Sequence, residues 1–196
     1  PPGPSGVSDA LAAAALALAI GVAPSAIGRA LSAFRPAAHR GEVVVTIDGI
    51  DFVDDSKATN PHAAAAAIGA HRSVVLIAGG LLKGASVDDM ITGSADRLAG
   101  VVAIGRDRDI IVDAISRHAP EVPTVTVFTG DDGGVIAQRA LGSETDPVSS
   151  GGQPPFDAPG NSDDLATAVM NRAVAEAWTL ATATDPRPDA VLLAPA

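Results

Sequence analysis

The chain has two lysines among its 196 residues, and both follow predicted strands. Lys57 lies in Asp-Ser-Lys-Ala-Thr-Asn after a strand predicted to end at Asp55, and Lys83 lies in Gly-Gly-Leu-Leu-Lys-Gly after one ending at Ala78. Ligands of an open parallel sheet bind beyond the carboxyl ends of its strands. An ammonium group supplies compact positive charge for a phosphate or carboxylate. Solvated surface lysines are the alternative, but the scarcity and matching placement of these two favour an anion-binding site.

Other charged residues carry weaker signals. Arg40, in Ala-His-Arg-Gly, has the planar fork that binds phosphate through two hydrogen bonds, but pairing with a surface acid explains it equally well. His62, His71 and His118 follow no metal-ligand spacing, so surface or helix-capping roles are expected. Asp107 or Asp109, at the start of the helix predicted near 107–118, would suit the helix dipole without a further role.

Two nucleotide fingerprints are missing from the sequence. The order G-x-x-x-x-G-K-[ST] of a phosphate-binding loop is absent, and so is G-x-G-x-x-G. An oxidoreductase that uses a nicotinamide cofactor is therefore poorly supported.

The elements that must position these residues form an α/β pattern. Apolar runs at 73–80, 100–105, 124–128 and 190–194 alternate with helix-length segments, as in a mostly parallel sheet covered on both faces. Asp48-Gly49 between the runs 43–47 and 50–55 predicts a tight hairpin, which adds one antiparallel strand. We therefore predict a Rossmann-like α/β domain from about residue 38 to 196.

Two predicted helices, near 9–20 and 24–34, precede this domain. The first is expected to be buried, with Ser8 as its N-cap and Gly21 at its end. It is too short to span a membrane and lacks the basic segment of a secretory signal. Residues 130–162 are rich in Gly, Pro, Ser and Asp, so we expect a long flexible connection there.

The net charge and the absence of cysteine limit which ligands and partners the chain can bind. A net charge of −10 and a pI near 4.6 disfavour nucleic-acid binding, which needs a basic face. The absence of cysteine excludes disulfides and thiolate metal sites, and it fits a cytoplasmic protein.

The stretch HRGEVVVTIDGIDFVDDSKATNPHAA, residues 39–64, resembles the start of the C-terminal domain of the Mur ligase family. LIAGGLLKGAS, VVAIGRDRD and VLLAPA continue the resemblance in the family's order. Residues 1–37 resemble the last helices of the central ATPase domain. The Asp-Ser-Lys-Ala-Thr-Asn loop is closest to members that add D-glutamate to UDP-N-acetylmuramoyl-L-alanine in peptidoglycan precursor synthesis.

The resemblance implies roles for individual residues. ATP would be contacted by Arg40, Asp55 and Lys57, with Arg40 and Lys57 also acting in catalysis. Asp9 would lie near the adenine, although Gly-Pro-Ser-Gly (residues 3–6) replaces the family's Gly-x-His-Asn and leaves the adenine contacts open. D-Glutamate would be held by Thr59 and Lys83, within a substrate site that includes Ser56 and Asn60.

The resemblance also implies what lies elsewhere. The UDP-binding domain, the ATP-binding loop, the Mg²⁺ ligands and the last part of the D-glutamate site are expected outside these 196 residues, so the segment alone is expected to be inactive. A sister Mur ligase, folylpolyglutamate synthetase and a non-catalytic nucleotide-binding module are the alternatives. No metal site is predicted within the chain.

Overall fold

The computed structural model describes residues 3–131, 133–140 and 165–196, in which a seven-stranded sheet carries helices on both faces. The helices are α1 Gly3–Ala19, α2 Pro24–Ala33, α3 Pro61–Ile68, α4 Asp88–Ser94, α5 Arg108–His118 and α6 Leu165–Ala183. The strands are β1 Glu42–Ile47, β2 Ile50–Asp54, β3 Val74–Gly80, β4 Leu98–Gly105, β5 Thr124–Thr129, β6 Val135–Ala140 and β7 Ala190–Leu193. A short 3₁₀ helix, Ala95–Arg97, joins α4 to β4.

The strand order is β1-β2-β7-β3-β4-β5-β6. Strands β2, β7, β3, β4 and β5 run parallel to one another, so their carboxyl ends lie at one edge. This confirms the predicted mostly parallel α/β sheet and places the loops after β2 and β3 on the same side of the molecule.

The predicted antiparallel hairpin strand is present, and the structure adds a second antiparallel strand at the other edge of the sheet. Strand β1 pairs with β2, and β6 pairs with β5 from Thr124↔Ala140 to Thr129↔Val135. Strand β6 lies inside the connection predicted for 130–162. This strand was not predicted, because its short apolar run lies among residues rich in Gly and Pro. Residue 132 and residues 141–162 of that connection lie outside the described residues.

The predicted β1–β2 hairpin is confirmed, and its turn explains the choice of residues. Asp48 and Gly49 both have positive φ, at 51° and 81°, as the two central residues of a type I′ turn do. The turn sets a register in which Ile47 faces Ile50. It brings the strand that precedes Lys57 back into the sheet beside β7.

The core consists of two apolar layers, one on each face of the sheet. Helices α3, α4 and α5 cover one face and bury Ile68, Ile91 and Ile111. Helix α6 covers the other, where Trp178 stacks on Phe52 with ring centroids 6.0 Å apart. Burial of these side chains is the main force that holds the sheet and helices together.

Helix α1 departs from its predicted surroundings. It begins at Gly3, so Ser8 lies inside the helix instead of capping it. Gly21 does end it, in a Schellman arrangement in which Gly21 N–H donates to Leu18 O and Val22 N–H to Ala17 O. The helix packs against α2 and α3, yet its apolar side chains are exposed, Leu16 by 72%. The prediction of a buried helix is therefore wrong for these residues.

No helix in the described part of the chain is both long and apolar enough to cross a membrane.

Candidate functional site

Four residues predicted to contact a nucleotide line one cavity of about 200 Å³. Asp9 comes from α1, Arg40 from the segment before β1, and Asp55 and Lys57 from the loop after β2. The loop after β2 and Leu192 of β7 place one end of the cavity at the carboxyl ends of the parallel strands, and the cavity extends along α3 to Ala70 and His71. Segments far apart in sequence thus bring two cations and two acids to the edge where ligands of such sheets bind.

Three hydrogen bonds join the segment before β1 to the loop after β2. His39 Nδ1 lies 2.6 Å from Asp54 Oδ2, Gly41 N–H donates to Asp55 Oδ1 over 3.0 Å, and Lys57 N–H donates to His39 O over 3.3 Å. His39 has a φ of 65°, which is uncommon for a residue other than glycine, and these bonds hold it there. They fix the backbone on either side of Arg40 and at Lys57.

The pKa values of the adjacent carboxylates Asp54 and Asp55 are shifted in opposite directions. Burial raises the pKa of Asp54, but hydrogen bonds from His39 and Ser56 outweigh it and lower that pKa overall. Burial raises the pKa of Asp55, and neither the Gly41 N–H nor the charge of Arg40 fully offsets this. The carboxylate in the cavity is therefore the more easily protonated of the two.

Arg40 and Lys57 are the cations of the cavity, and both are exposed. Within the described ranges neither forms an ion pair with an acidic side chain. A guanidinium fork and an ammonium group without bound partners can both bind anionic oxygens. The Asp55 carboxylate beside them can accept hydrogen bonds from hydroxyl groups. A phosphorylated sugar presents both kinds of group.

Helix α3 forms one wall of the cavity through the small side chains of Ala63, Ala66 and Ala67. Asn60 caps this helix, with its Oδ1 accepting from Ala63 N–H over 3.0 Å, and Pro61 occupies the first turn. The small alanine side chains leave space in the cavity. The Asn60 cap starts α3 directly after the Lys57 loop. Asn60, predicted to bind substrate, therefore has a structural role in α3.

The other predicted acceptor-binding residues occupy two loops. Thr59 is exposed beside the cavity, and Ser56 N–H donates to Asp54 Oδ1 over 2.9 Å. Lys83 is exposed on the loop after β3 and is not among the residues that line the cavity. The structure thus groups the four ATP-contacting candidates and places Lys83 on a separate loop at the same edge of the sheet.

A second cavity, of about 670 Å³, shares Asp9 and Gly41 with the first. It lies between α1 and α2, where Leu31, Phe34 and Arg35 line it. Pockets for drug-sized ligands measure roughly 300–1,000 Å³, so the first cavity alone is too small for a whole nucleotide. The second cavity adjoins the first at Asp9 and adds space for a larger ligand.

Two histidines have surroundings that the sequence did not predict. His39 pairs with Asp54, and His71, expected at the surface or in a cap, lines the cavity. The predicted hairpin could have indicated the first pair, because it brings the residues before β1 beside those after β2. No comparable signal points to His71, whose position depends on how α3 packs.

Within the described part of the chain no group of three or more His, Asp or Glu side chains is placed to hold a metal ion. Asp54 and Asp55, two of the carboxylates near the cavity, are engaged by His39, Ser56 and Gly41.

No protein-family model matches the chain. Curated proteins do match over its whole length. The chain is 53% identical to the UDP-N-acetylmuramoylalanine–D-glutamate ligase of Mycolicibacterium smegmatis, across 99% of the chain and 38% of that relative. The proteins of the same name from Rhodococcus jostii and Mycobacterium tuberculosis are 53% and 50% identical across 100% of the chain, and 36% and 37% of their own lengths are covered. The chain thus spans little more than a third of these relatives.

Proposed function

The chain belongs to the Mur ligase family, and from that premise we propose that it forms part of an ATP-dependent ligase that adds D-glutamate to UDP-N-acetylmuramoyl-L-alanine. The supporting observation is the single cavity lined by Asp9, Arg40, Asp55 and Lys57. The complete enzyme would act in peptidoglycan precursor synthesis. We place it in the cytoplasm, where ATP is available.

The proposed reaction has two steps. The carboxylate of UDP-N-acetylmuramoyl-L-alanine attacks the γ-phosphorus of ATP, which gives an acyl phosphate and releases ADP. The amino group of D-glutamate then attacks the acyl carbon, a tetrahedral intermediate forms, and phosphate leaves as the amide forms. Every reactant carries negative charge, and more develops at the reacting phosphate and acyl groups. Fixed cations beside those groups therefore lower the barrier.

We assign the cavity to ATP. Arg40 and Lys57 would bind its phosphates and so serve the catalytic step, and Asp55 would accept hydrogen bonds from its ribose hydroxyls. Asp9 would lie toward the base, which the neighbouring cavity between α1 and α2 has room to hold. The charges support this assignment, because the two cations and the acceptor carboxylate line the same small space.

Mg²⁺ would accompany ATP, but its protein ligands are assigned to the rest of the longer protein. Asp54 and Asp55 do not fit a metal site, because Asp55 Oδ1 accepts from Gly41 N–H and Asp54 is paired with His39.

The loops beside the cavity would bind the acceptor. Lys83 would pair with a carboxylate of D-glutamate, and Thr59 and Ser56 would donate hydrogen bonds to it. For Asn60 the cap of α3 limits the proposal to a contact through its amide nitrogen, since its Oδ1 is occupied. We propose that residues up to about 37 complete a central ATPase domain, and that residues 38–196 belong to the acceptor domain. The UDP-binding domain would precede both.

The test is acceptor-dependent ADP release by the full-length protein that contains this segment. ATP and UDP-N-acetylmuramoyl-L-alanine are supplied, and D-glutamate, L-glutamate, meso-diaminopimelate and L-lysine are offered in turn. Release with D-glutamate alone is expected. Release with another amino acid would assign the chain to a sister ligase, and release with none, despite ADP binding, would leave a non-catalytic nucleotide-binding module.

A further inference from the structure

Lys83 lies in a tight turn that is anchored at its first residue. Ala85 N–H donates to Leu82 O over 2.9 Å, and the two central residues, Lys83 and Gly84, have positive φ of 54° and 81°. Such backbone angles are unfavourable for lysine, so the turn needs support from outside itself. Leu82, which is only 4% exposed, fixes the start of the turn in the core.

That support comes from Asp107, at the corner between β4 and α5. Its Oδ2 accepts from Leu82 N–H over 2.7 Å, and its own N–H donates to Gly80 O over 3.0 Å. Asp107 stands at the N-cap position of α5, yet its side chain makes no cap hydrogen bond there. The carboxylate is thus turned away from its own helix and toward the loop that carries Lys83. A favourable helix dipole, the role expected from the sequence, does not explain this contact.

The corner that holds Asp107 is itself fixed. Arg106 N–H also donates to Gly80 O over 3.0 Å. The Arg108 guanidinium donates to Gly105 O over 3.2 Å and lies 4.5 Å from the centre of the Phe128 ring. Asp107 therefore links the Lys83 turn to a rigid part of the sheet.

We propose that Asp107 is a positioning residue for acceptor recognition, because it holds the Lys83 turn in its strained conformation. This rests on the proposed function, in which Lys83 pairs with a carboxylate of D-glutamate. A buried N–H that loses its acceptor must find another, so removal of the Asp107 carboxylate lets the turn rearrange. Lys83 would then leave the acceptor while Arg40 and Lys57 keep their positions.

The experiment measures KM for D-glutamate and for ATP, with kcat, in the full-length protein. Asp107→Ala is expected to raise the D-glutamate KM on the order of 10-fold, as the loss of one charge-assisted hydrogen bond does, and to leave the ATP KM within about twofold. Asp107→Asn keeps an acceptor oxygen and should stay close to the unsubstituted protein. Asp113→Ala removes an exposed acid further along α5 and serves as the control.

A double variant tests whether Asp107 acts through Lys83. If it does, Asp107→Ala adds little to the effect of Lys83→Ala, because the two changes disturb one contact. If Asp107→Ala does not fold, Gly84→Ala strains the same turn at a position where a Cβ meets no atom within 4 Å, and it should raise the D-glutamate KM selectively.

Equal effects on both substrates, additive effects in the double variant, or an Asp107→Asn as impaired as Asp107→Ala would overturn this inference. So would an unchanged D-glutamate KM in Asp107→Ala or, if that variant does not fold, in Gly84→Ala. Failure of the proposed function looks different, because the unsubstituted protein would then release no ADP in response to D-glutamate.

Discussion

His39 Nδ1 lies 2.6 Å from Asp54 Oδ2, so the residue before Arg40 is joined to the residue before Asp55. Each member of the pair immediately precedes a side chain that lines the cavity. The pair therefore sets the distance between the two segments that supply Arg40, Asp55 and Lys57.

Loss of this pair should weaken nucleotide binding without removing any cavity side chain. We expect His39→Ala and Asp54→Ala each to weaken ADP binding about 1.4- to 5-fold, since a partly exposed pair is worth roughly 0.2–1 kcal/mol. Calorimetric titration of the full-length protein with ADP measures this. Asp51→Ala is the matched control. It removes a carboxylate of the same strand that accepts a hydrogen bond from Thr46 Oγ1 over 2.6 Å, and Asp51 is not among the residues that line the cavity. Equal weakening in the control would show that the hairpin as a whole, rather than the pair, supports the site.

The raised pKa of Asp55 predicts how ADP binding depends on pH. Burial moves this pKa above its usual value of 3.8, so the carboxylate becomes protonated, and loses acceptor strength, at a higher pH than an ordinary aspartate. ADP affinity should therefore fall as the pH is lowered toward that raised pKa. Asp55→Asn should bind ADP more weakly at pH 7 and show a shallower dependence on pH.

Inorganic pyrophosphate provides the control for Asp55, because it presents phosphates to Arg40 and Lys57 but has no ribose. Its affinity should respond to acidification alike in the unsubstituted protein and in Asp55→Asn. The same acid-dependent difference for both ligands would contradict a ribose contact.

The lowered pKa of Asp54 predicts how the stability of the fold depends on pH. The ionised Asp54 carboxylate stabilises the fold above about pH 4, and this stabilisation is lost as the pH falls through the pKa of Asp54 in the folded chain.

The parts of the fold that the sequence predicted are those with strong local signals. Unbroken apolar runs identified β3, β4, β5 and β7, and Asp48-Gly49 identified the β1–β2 turn. Strand β6 lacked such a signal, because its six residues depend on pairing with β5 rather than on their own composition. Residues 8–20 show the same limit, since their apolar composition predicts burial but cannot specify the surface that would cover them.

For the site, side-chain type identified the candidates and tertiary packing determined their partners. Lys57 could be chosen from its charge and its placement after a strand, whereas Arg40 and Asp55 were assigned through the resemblance to the family. The orientation of Asp107 could not be predicted, because it depends on the approach of β4 to β3 and not on its position in α5. Asn60 was expected to bind substrate, and its role as the N-cap of α3 was not predicted.

The close approach of β3 and β4 should make Gly105 irreplaceable. A Cβ on Gly105 would lie 2.6 Å from Gly80 Cα, and its φ is 78°, so alanine would meet both a backbone clash and an unfavourable conformation. We expect Gly105→Ala to lower the free energy of unfolding by about 2–4 kcal/mol, measured by urea denaturation of the 196-residue chain. Gly93→Ala is the control, because Gly93 lies within α4 with no atom within 4 Å of a Cβ; it should add about 0.5–1 kcal/mol. A Gly105→Ala chain as stable as the unsubstituted one would mean that the strands can separate, and the anchor of the Lys83 turn to Gly80 and Asp107 would then be weaker than these contacts indicate.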